Sequence, residues 1–362
     1  MKYKVIGMMS GTSLDGLDLC YVHLSVDENG RWQFELQCSE SIPYSAEWRL
    51  KLSAVEAGNA LGYALLDVAL GRYFGEQVKA FISKHQLQVD FIASHGHTVF
   101  HQPSAHYLTT QLGHGAQINA VSGVPVFCDF RTADVALGGQ GAPLVPIGDR
   151  LLFADYDFCL NLGGIANISL EEDGVRKAFD IGVANMPLNY FVKSLGLDFD
   201  EEGKIARSGQ VDQAVFEALN ALPFFEKFGV KSLGKEWVFS EVIPRLETIG
   251  KTNDQLATAV EHAAYQIGRC LGHFSAKQKG KCLVTGGGAF NQYFLERIAF
   301  WAEGTTLIIP GEEIIEQKEA LIFALLGVLK YRHEVNCLAS VTGAKQDHSA
   351  GQLFDYQGKL SS

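Results

Sequence analysis

The amino-acid sequence predicts an α/β protein built from two halves with the same order of elements. The chain has 362 residues, more than the roughly 150 typical of one domain, which favours two or three domains. Strand and helix signals follow a βββαβα-like order twice along it. Glycine is in excess, with 38 residues, and we expect that excess in specific loops. Because residue-level identity between the halves is weak, the duplication is inferred from element order.

The first half opens with three short strands separated by Gly, Asp and Asn turn signals: 3–9, 18–26 and 32–38. Short links between consecutive strands predict antiparallel pairing. A helical region follows over 47–85, with a break at Gly58-Asn59. The half closes with alternating elements: a strand over 89–93, a short helix near 113–121 and a strand over 124–128.

The second half begins in the same way, with strands over 156–162, 165–170 and 175–179. Apolar residues at three- and four-residue intervals predict a long helix over 254–275, with Thr252 or Asn253 as its N-cap. The remaining predicted elements are a helix over 186–195, a strand over 282–285, a helix over 290–302, a strand over 306–309 and a helix over 318–331.

The predicted boundary lies in the Gly- and Pro-rich segment Asp129 to Pro146. The first predicted domain is 1–128 together with the polar tail from about 335 to 362, which we expect to pack on the first half. The second predicted domain is 129–334. The longest apolar run, Leu321 to Leu329, is far below the ~18 residues of a membrane span, so no membrane association is expected.

Charge and cysteine content narrow the classes of partner and compartment. The formal net charge is −11, which argues against nucleic acid as a partner because a phosphate backbone favours a basic face. The seven cysteines never form a C-x-x-C pattern, and a scattered odd set is typical of buried thiols in a reducing compartment. Without a signal segment at the N-terminus, we expect a cytoplasmic protein.

Three glycine-rich turns are candidate phosphate or nucleotide sites. The first, Gly11 to Gly16, lies between predicted strands and contains Thr12, Ser13 and Asp15, so amides and hydroxyls could hold phosphate and the carboxylate a hydrated metal ion. Gly163-Gly164 occupies the corresponding turn of the second half, and Gly286 to Gly288 lies between a strand and a helix. The third is not a Walker A loop, because no Lys-Ser/Thr follows it. An ordinary turn is the alternative for the first and for the third.

Two further groups of residues are candidates for chemistry. Asp180 ends a predicted strand before a Gly-containing loop, where it could be a general base or, alternatively, a helix cap. The segment 94–98 with His97 predicts a polar ligand-binding loop, with a metal site as the alternative. Arg131 and Asp134 could form a salt bridge between domains, or Arg131 could bind an anionic substrate group.

Taken together, six segments resemble the anhydro-N-acetylmuramic acid kinase family. They occur in the same order over nearly the whole chain: GMMSGTSLDGLD (7–18), SHGHTVFHQP (94–103), DFRTADVALGGQGAPLVP (129–146), NLGGIANI (161–168), TGGGAFN (285–291) and EALIFALLG (319–327). The resemblance implies two duplicated RNase-H-like domains, an actin-like ATPase fold, with mixed sheets flanked by helices and a cleft between them. It also implies a cytoplasmic, ATP- and Mg²⁺-dependent kinase, and it favours a homodimer.

The implied reaction hydrolyses the 1,6-anhydro bond of the sugar and phosphorylates O6, giving N-acetylmuramic acid 6-phosphate. Asp180 is then the catalytic base. The implied nucleotide ligands are Gly11, Thr12, Ser13, Asp15, Gly16, Gly163, Gly164, Gly286, Gly287, Gly288 and Asn291, with Asp15 near magnesium. The implied sugar ligands are His97, Thr98, Arg131 and Glu319.

The sequence also departs from the family pattern around Asp180. The family usually has FDTGPGN where this chain has FDIGVAN, so Ile181, Val183 and Ala184 are replacements. His97 stands where Gln is usual, and Lys235 where Arg is usual. Two alternatives follow from these changes: a kinase of the same fold acting on a different sugar, and a non-enzymatic ATP-binding switch protein.

Overall fold

The computed structural model describes residues 1–229, 231–275 and 280–360 of the chain. Its strands are β1 (Lys2–Ser10), β2 (Gly16–Val26), β3 (Trp32–Pro43), β4 (Phe91–Gln102), β5 (Leu108–Leu112), β6 (Val126–Cys128), β7 (Phe158–Leu162), β8 (Ile165–Glu172), β9 (Val175–Val183), β10 (Gly280–Thr285), β11 (Thr305–Ile308) and β12 (Gln352–Phe354). Residues 361 and 362 of the first predicted domain lie outside the described residues.

The α-helices, numbered in chain order, are α1 (Ala46–Ala54), α2 (Ala60–His85), α3 (Pro103–His106), α4 (Gly115–Ser122), α5 (Thr132–Ala136), α6 (Val145–Leu152), α7 (Asn185–Val192), α8 (Lys204–Ser208), α9 (Gln213–Asn220), α10 (Lys235–Trp237), α11 (Ile243–Leu246), α12 (Thr252–Phe274), α13 (Gln292–Trp301), α14 (Glu312–Tyr331) and α15 (Ala339–Thr342). Short 3₁₀ segments adjoin them at Val55–Ala57, Lys193–Leu195, Glu201–Gly203, Pro223–Phe225 and Gly287–Phe290, and a π-helical turn at Val238–Val242.

The two sheets share a five-stranded arrangement, β3-β2-β1-β4-β6 in the first and β9-β8-β7-β10-β11 in the second, which confirms the predicted duplicated α/β class. In the first sheet the order is β12-β6-β4-β1-β2-β3, with β5 on β4; in the second it is β11-β10-β7-β8-β9. Both begin with three antiparallel strands, and both then add parallel strands beside the first of the three. This repeated arrangement is the RNase-H-like order that the family resemblance implies.

The chain divides into two compact units, which differ in extent from the predicted domains. The first unit is Met1–Leu152 with the chain from Gln317 onward, and the second is Phe153–Glu316. The reason for the difference is that α6 and most of α14 pack together in the first unit. A buried ion pair joins Lys318 of α14 to Asp149 of α6 at 2.8 Å.

The Gly- and Pro-rich segment is therefore part of the first unit. Asp134, fully buried in this segment, accepts hydrogen bonds from the Thr342 hydroxyl at 2.6 Å and the Gly141 amide at 2.7 Å. The tail returns to the same unit, because β12 pairs antiparallel with β6. These contacts give a physical basis for the unit's limits near Leu152 and Gln317.

The predicted loop at 94–98 is wrong, because these residues continue strand β4. The strand is held on both sides: His97 pairs with Ser10 of β1 and with Leu112 of β5. The sequence reading missed β5, a strand of five residues. Backbone pairing thus extends β4 well beyond its apolar start.

Helix starts were partly predicted. Asn59 caps α2, its side chain accepting a hydrogen bond from the Gly62 amide at 2.8 Å, which explains the break at Gly58-Asn59. The predicted cap of α12 is wrong, because its N-cap residue is Lys251, without a side-chain hydrogen bond. Thr252 lies inside the first turn, where Asp254 supplies the negative charge that the helix N-terminus favours.

No disulfide joins the seven cysteines, all of which lie in the described residues, and five of them are buried. Among those same described residues, no helix combines the length and the apolar character needed to cross a bilayer.

Acid stability of the second unit should depend on His262. The ring is fully buried, Nδ1 lies 2.7 Å from the Asn220 side-chain oxygen, and burial lowers its pKa to about 3. The unfolded chain therefore binds a proton below about pH 6.5 that the folded unit does not, so stability falls as pH falls, by up to about 1.4 kcal/mol per pH unit. Urea unfolding at several pH values should show that the free energy of unfolding of His262→Gln depends less steeply on pH than that of the wild type. The exposed His273 of the same helix gives the control, since His273→Gln should retain the wild-type slope.

Candidate active site

A row of polar side chains crosses the second sheet. Asn161 of β7 is paired with Asn167 of β8, and Asn167 is paired with Asp180 of β9. Thr285 of β10 is paired with Asn161 on the other side. Because directly opposed residues project from the same face of a sheet, the four side chains share one face. A carboxylate thus lies in line with two amides and a hydroxyl.

A β-bulge shapes the end of this row. The register changes between the Ala166–Gly182 pair and the Asn167–Asp180 pair, which leaves Ile181 as the extra residue of β9. Bulges of this kind redirect side chains and are common beside active sites. Ile181 itself is buried in the core, as are Val183 and Ala184. The three departures from the family pattern therefore serve packing.

Asp180 is half-buried and held by one loop. Its Oδ2 accepts a hydrogen bond from the Leu233 amide at 2.8 Å, and its own amide donates to the Lys231 carbonyl at 3.0 Å. Burial raises the pKa of the Asp180 carboxyl, while the Leu233 amide, the Ser232 side chain and the Lys231 charge partly oppose that rise. Asp180 is not a helix cap, because the N-cap residue of α7 is Ala184.

The Gly163-Gly164 turn fixes the chain that follows Asp180. The Gly163 carbonyl accepts a hydrogen bond from the Asn185 amide, and the Gly164 carbonyl accepts from the amides of Ala184 and Met186, at 3.0 to 3.1 Å. The Asn185 side chain donates to the Leu162 carbonyl at 2.8 Å. The predicted glycine turn and the predicted carboxylate are thus joined through one hydrogen-bonded segment.

The Gly286 to Gly288 segment lies against the same end of β7. Gly286 has φ of +81°, and a Cβ there would lie 2.5 Å from Asn161 Oδ1 and 2.9 Å from the Leu162 backbone. A Cβ on Gly288 would lie 2.6 Å from the Leu162 Cβ. Glycine is required here because two strand ends approach closely.

An open cavity of about 940 Å³ in the second unit adjoins this segment. Its wall includes Gly287 and Asn291, the exposed apolar side chains Phe199, Phe290 and Ile309, and the acidic residues Asp200, Glu201, Glu202, Glu296, Glu312 and Glu316. The volume is typical of small-molecule sites. An apolar wall suits a planar base, and carboxylates suit hydroxyl groups rather than phosphates.

Asn291 connects this cavity to the stability of α13. Its side chain caps the helix by accepting a hydrogen bond from the Phe294 amide at 2.9 Å. We expect Asn291→Ala to cost about 1 kcal/mol of stability through loss of the cap and to weaken nucleotide binding. Asn291→Ser keeps a capping oxygen, so it should regain the stability. Thermal unfolding and nucleotide titration would check both variants; equal melting temperatures for Ala and Ser would contradict the capping role.

In the first unit, the Gly11 to Gly16 segment joins β1 to β2 as the predicted hairpin. Thr12, Ser13 and Asp15 are exposed on it. Burial raises the pKa of Asp18, the hydrogen bond from the Ser41 hydroxyl opposes that rise, and the Asp15 charge adds to it. Carboxylate oxygens are hard ligands, and this pair fits the preference of Mg²⁺.

The predicted sugar ligands lie in the same unit but differ in exposure. His97 is buried, and its Nδ1 lies 2.9 Å from the hydroxyl of Ser10, the residue before the hairpin. The Thr98 hydroxyl accepts a hydrogen bond from the Gln111 side chain at 3.3 Å. His97 therefore contacts the residue that precedes the hairpin, and its side chain is not exposed to solvent.

Arg131 binds a histidine instead of forming the predicted pair with Asp134. Its Nε and Nη2 lie 3.0 and 2.8 Å from His95 Nε2, and its Nη1 donates to the Gly141 carbonyl. Burial and the Arg131 charge hold the pKa of His95 well below its usual range, so His95 is a neutral acceptor. The Glu319 side chain is exposed at its surface. The surrounding protein raises the pKa of its carboxyl by reducing hydration, and the Arg131 charge partly opposes that rise.

Asn161 and Asn167 are the site residues that sequence reasoning missed. A signal was available: the two asparagines are equally spaced about the turn in NLGGIAN, so a hairpin there pairs them. The structure brings Asp180 together with Asn161, Asn167 and two glycine turns in the second unit. It brings His97 and Arg131 to strand β4 of the first unit.

Comparisons with known proteins identify the family. The family model for anhydro-N-acetylmuramic acid kinase matches residues 3–356. Curated proteins of that name from Coxiella burnetii and Haemophilus influenzae are 32% and 33% identical, covering 98% and 96% of this chain and 98% and 97% of their own lengths. One from Aliivibrio fischeri is 34% identical, covering 97% of this chain and 99% of its own length.

A solved structure of the activator of the 2-hydroxyisocaproyl-CoA dehydratase from Clostridium difficile with bound ADPNP is 14% identical, with a TM-score of 0.42, over 90% of this chain and 93% of that one. The family match and the three curated relatives cover nearly the whole chain. The chain therefore belongs to the anhydro-N-acetylmuramic acid kinase family, and it is a phosphotransferase that acts on a sugar hydroxyl.

Proposed function

We propose that this kinase hydrolyses the 1,6-anhydro bond of anhydro-N-acetylmuramic acid and phosphorylates O6 with ATP, with Asp180 as the base. Family membership supports the substrate and the product, N-acetylmuramic acid 6-phosphate. The observation that carries the residue assignment is the position of Asp180, half-buried, in register with two asparagines and linked to the Gly163-Gly164 turn.

In the proposed reaction, Asp180 takes a proton from a water molecule, whose oxygen attacks C1 of the sugar. The bond between C1 and O6 breaks, and its electron pair stays on O6. That oxygen attacks the γ-phosphorus of ATP, and ADP leaves. The proton on Asp180 is lost to solvent afterwards. One carboxylate is sufficient, because O6 is captured by phosphorus and needs no separate proton donor.

The glycine turns are the proposed phosphate ligands. Gly11, Thr12, Ser13 and Gly16 offer amides and hydroxyls on an exposed hairpin, and Gly163 and Gly164 offer the corresponding turn of the second unit. Asp15, with Asp18 nearby, is the proposed position for Mg²⁺. When bound, Mg²⁺ neutralises charge on the phosphate oxygens in the loose transition state of phosphoryl transfer.

Adenosine is proposed to occupy the cavity beside Gly286, Gly287, Gly288 and Asn291. The apolar side chains of Phe199 and Phe290 suit the base, and the acidic wall suits ribose hydroxyls. The carboxylates of the wall repel phosphate groups, so the phosphates are proposed to extend from the cavity towards the glycine turns.

Sugar binding is proposed for Arg131 and Glu319, with His97 and Thr98 in supporting positions. Arg131 is the positive group suited to the carboxylate of the muramic acid side chain. His97 acts through Ser10 on the hairpin, since it is buried. The replaced residues Ile181, Val183 and Ala184 are core residues, so they give no support to a different sugar.

We place the reaction in the cytoplasm, which the seven cysteines without a disulfide support, and we expect a homodimer from the family resemblance. The dimer prediction is checked by light scattering.

The test of the function is a product assay. Purified chain is incubated with ATP, Mg²⁺ and anhydro-N-acetylmuramic acid, with N-acetylglucosamine in a parallel reaction. We expect a product whose mass equals that of the sugar plus one water and one phosphoryl group, and no product from N-acetylglucosamine. Absence of ADP formation with the anhydro sugar at high enzyme concentration, or faster turnover of the other sugar, would contradict the proposal.

A further inference from the structure

Three side chains with different metal-binding atoms meet in the first unit. They are Asp134 of α5 and the residues Cys337 and His348, which face each other in an isolated antiparallel bridge. One ligand atom from each lies within 4.8 Å of the others. His348 Nε2 is 3.6 Å from Asp134 Oδ1. None of the three has a part in the proposed reaction.

The hydrogen bonds of His348 fix which ring nitrogen carries its proton. Nδ1 lies 3.1 Å from the Gln346 carbonyl oxygen, which can only accept, so the proton is on Nδ1. Nε2 is buried and has no hydrogen-bond partner among the described residues, and the side chain is 9% exposed. The buried Nε2 edge of the ring therefore faces the Asp134 carboxylate at 3.6 Å, beyond hydrogen-bond distance.

The other two groups also retain capacity to bind a ligand. Asp134 is fully buried and accepts one hydrogen bond on each oxygen, from Thr342 and Gly141, whereas each oxygen has two lone pairs. Cys337 is buried, and its sulfur has two weak backbone contacts, one with the Phe130 carbonyl at 3.9 Å and one with the Ala350 amide. Three potential ligand atoms thus converge at a buried position, where a cation would compensate the charge of the buried Asp134 carboxylate.

We propose that Asp134 Oδ1, Cys337 Sγ and His348 Nε2 bind a divalent transition metal ion, for which Zn²⁺ is the best match. Oxygen, sulfur and imidazole nitrogen are the donors that Zn²⁺ takes in proteins. A metal-bound histidine usually donates its other N–H to a carbonyl, as His348 does to Gln346. The thiol loses its proton to solvent on binding, and thiolate and carboxylate together balance the ion's two charges.

The bound metal ion would join the C-terminal tail to α5. Cys337 and His348 lie in the C-terminal tail, whereas Asp134 lies three residues after Arg131. The ion would thus fix the tail against the segment that carries a proposed sugar ligand. This site does not depend on the proposed function, since its test uses metal binding.

The experiment uses the full chain, freed of metal with a chelator and titrated with Co²⁺ and then Zn²⁺. Absorption reports thiolate coordination through the sulfur-to-cobalt charge-transfer band, and calorimetry gives the Zn²⁺ affinity. His348→Gln removes the nitrogen ligand, and Cys337→Ser removes the sulfur. Cys270→Ser is the matched control, because Cys270 is also fully buried but is not part of the cluster.

We expect one Co²⁺ per chain with the charge-transfer band in the wild type and in Cys270→Ser, and no band in Cys337→Ser. Zn²⁺ affinity should fall in His348→Gln by more than the roughly 10–100-fold typical of losing an outer-shell partner. Zn²⁺ should also raise the melting temperature of the wild type but not of His348→Gln. The proposal is overturned if wild type shows no thiolate band, if His348→Gln binds as tightly, or if His348 carries a second proton and no metal binds.

Discussion

Asp180→Asn is expected to lower kcat by about 10²- to 10⁴-fold, the usual contribution of a general base, with little change in ATP affinity. The amide oxygen of Asn can still accept the hydrogen bond from the Leu233 amide, so the local structure is retained. Because burial raises the pKa of the Asp180 carboxyl, its charged form destabilises the fold at neutral pH. The variant should therefore be at least as stable as the wild type, which separates lost catalysis from lost folding.

The matched control is Asp173→Asn, an exposed residue in the turn between β8 and β9. Asn accepts the positive φ found there, so activity should stay at the wild-type level. In the wild type, kcat/KM should fall as pH drops through the Asp180 pKa, because the base must be ionised. That fall should lie above the ordinary aspartate value of about 3.9. A variant with unchanged kcat would remove Asp180 from the mechanism.

Gly286→Ala is expected to weaken ATP binding strongly and to destabilise the second unit. The backbone has φ of +81° and ψ of 166°, a region almost restricted to glycine, which costs about 1–3 kcal/mol for other residues. The new Cβ would also lie 2.9 Å from the Leu162 backbone. We expect relief of that contact to move β10 away from β7, and with it the wall of the proposed nucleotide cavity.

Gly304→Ala separates the two effects. Gly304 has nearly the same φ, +85°, but a Cβ there meets nothing within 4 Å. We therefore expect only the strain cost, roughly 1–2 kcal/mol, and normal nucleotide affinity. Thermal unfolding and ADP titration of both variants give the comparison. If both bind ADP as well as the wild type, the close approach of Gly286 has no role in the nucleotide site.

The duplicated architecture could be predicted because it depends on local signals repeated along the chain. Strand alternation, turn residues and the helix periodicity of 254–275 all act within about one element. The central elements of both halves lie where the sequence places them. The cap of α2 could be predicted because Asn59 makes a local side-chain hydrogen bond. The cap of α12 could not, because Lys251 makes no side-chain hydrogen bond and its position depends on how the chain enters the helix.

The elements that could not be predicted depend on distant partners. Residues 94–102 are a strand because β1 and β5 pair with them, and β12 is a strand because β6 lies beside it. In the same way, α6 belongs to the first unit through the Lys318–Asp149 ion pair, which joins positions far apart in sequence. Local propensity carries no information about such partners.

For the candidate site, the residues that take part could be predicted from the sequence, but which of their side chains are buried could not. The turns and Asp180 follow from motif chemistry, whereas the pairing of Asn161 with Asn167 follows from register. Ile181 replaces a hydroxyl residue of the family pattern, and only the structure shows that its side chain lies in the core. His97 likewise has the chemistry of a ligand but is buried behind Ser10.

The most direct test of the central claim is the reaction in water enriched in the heavy oxygen isotope. In the proposed mechanism, water activated by Asp180 attacks C1, so we expect one heavy oxygen at C1 of N-acetylmuramic acid 6-phosphate and none in the transferred phosphoryl group. The label is read by mass spectrometry of fragments at early times, before C1 exchanges with solvent, and an unlabelled reaction gives the background. Heavy oxygen in the phosphoryl group, or a phosphorylated product with an intact anhydro bond, would contradict the account.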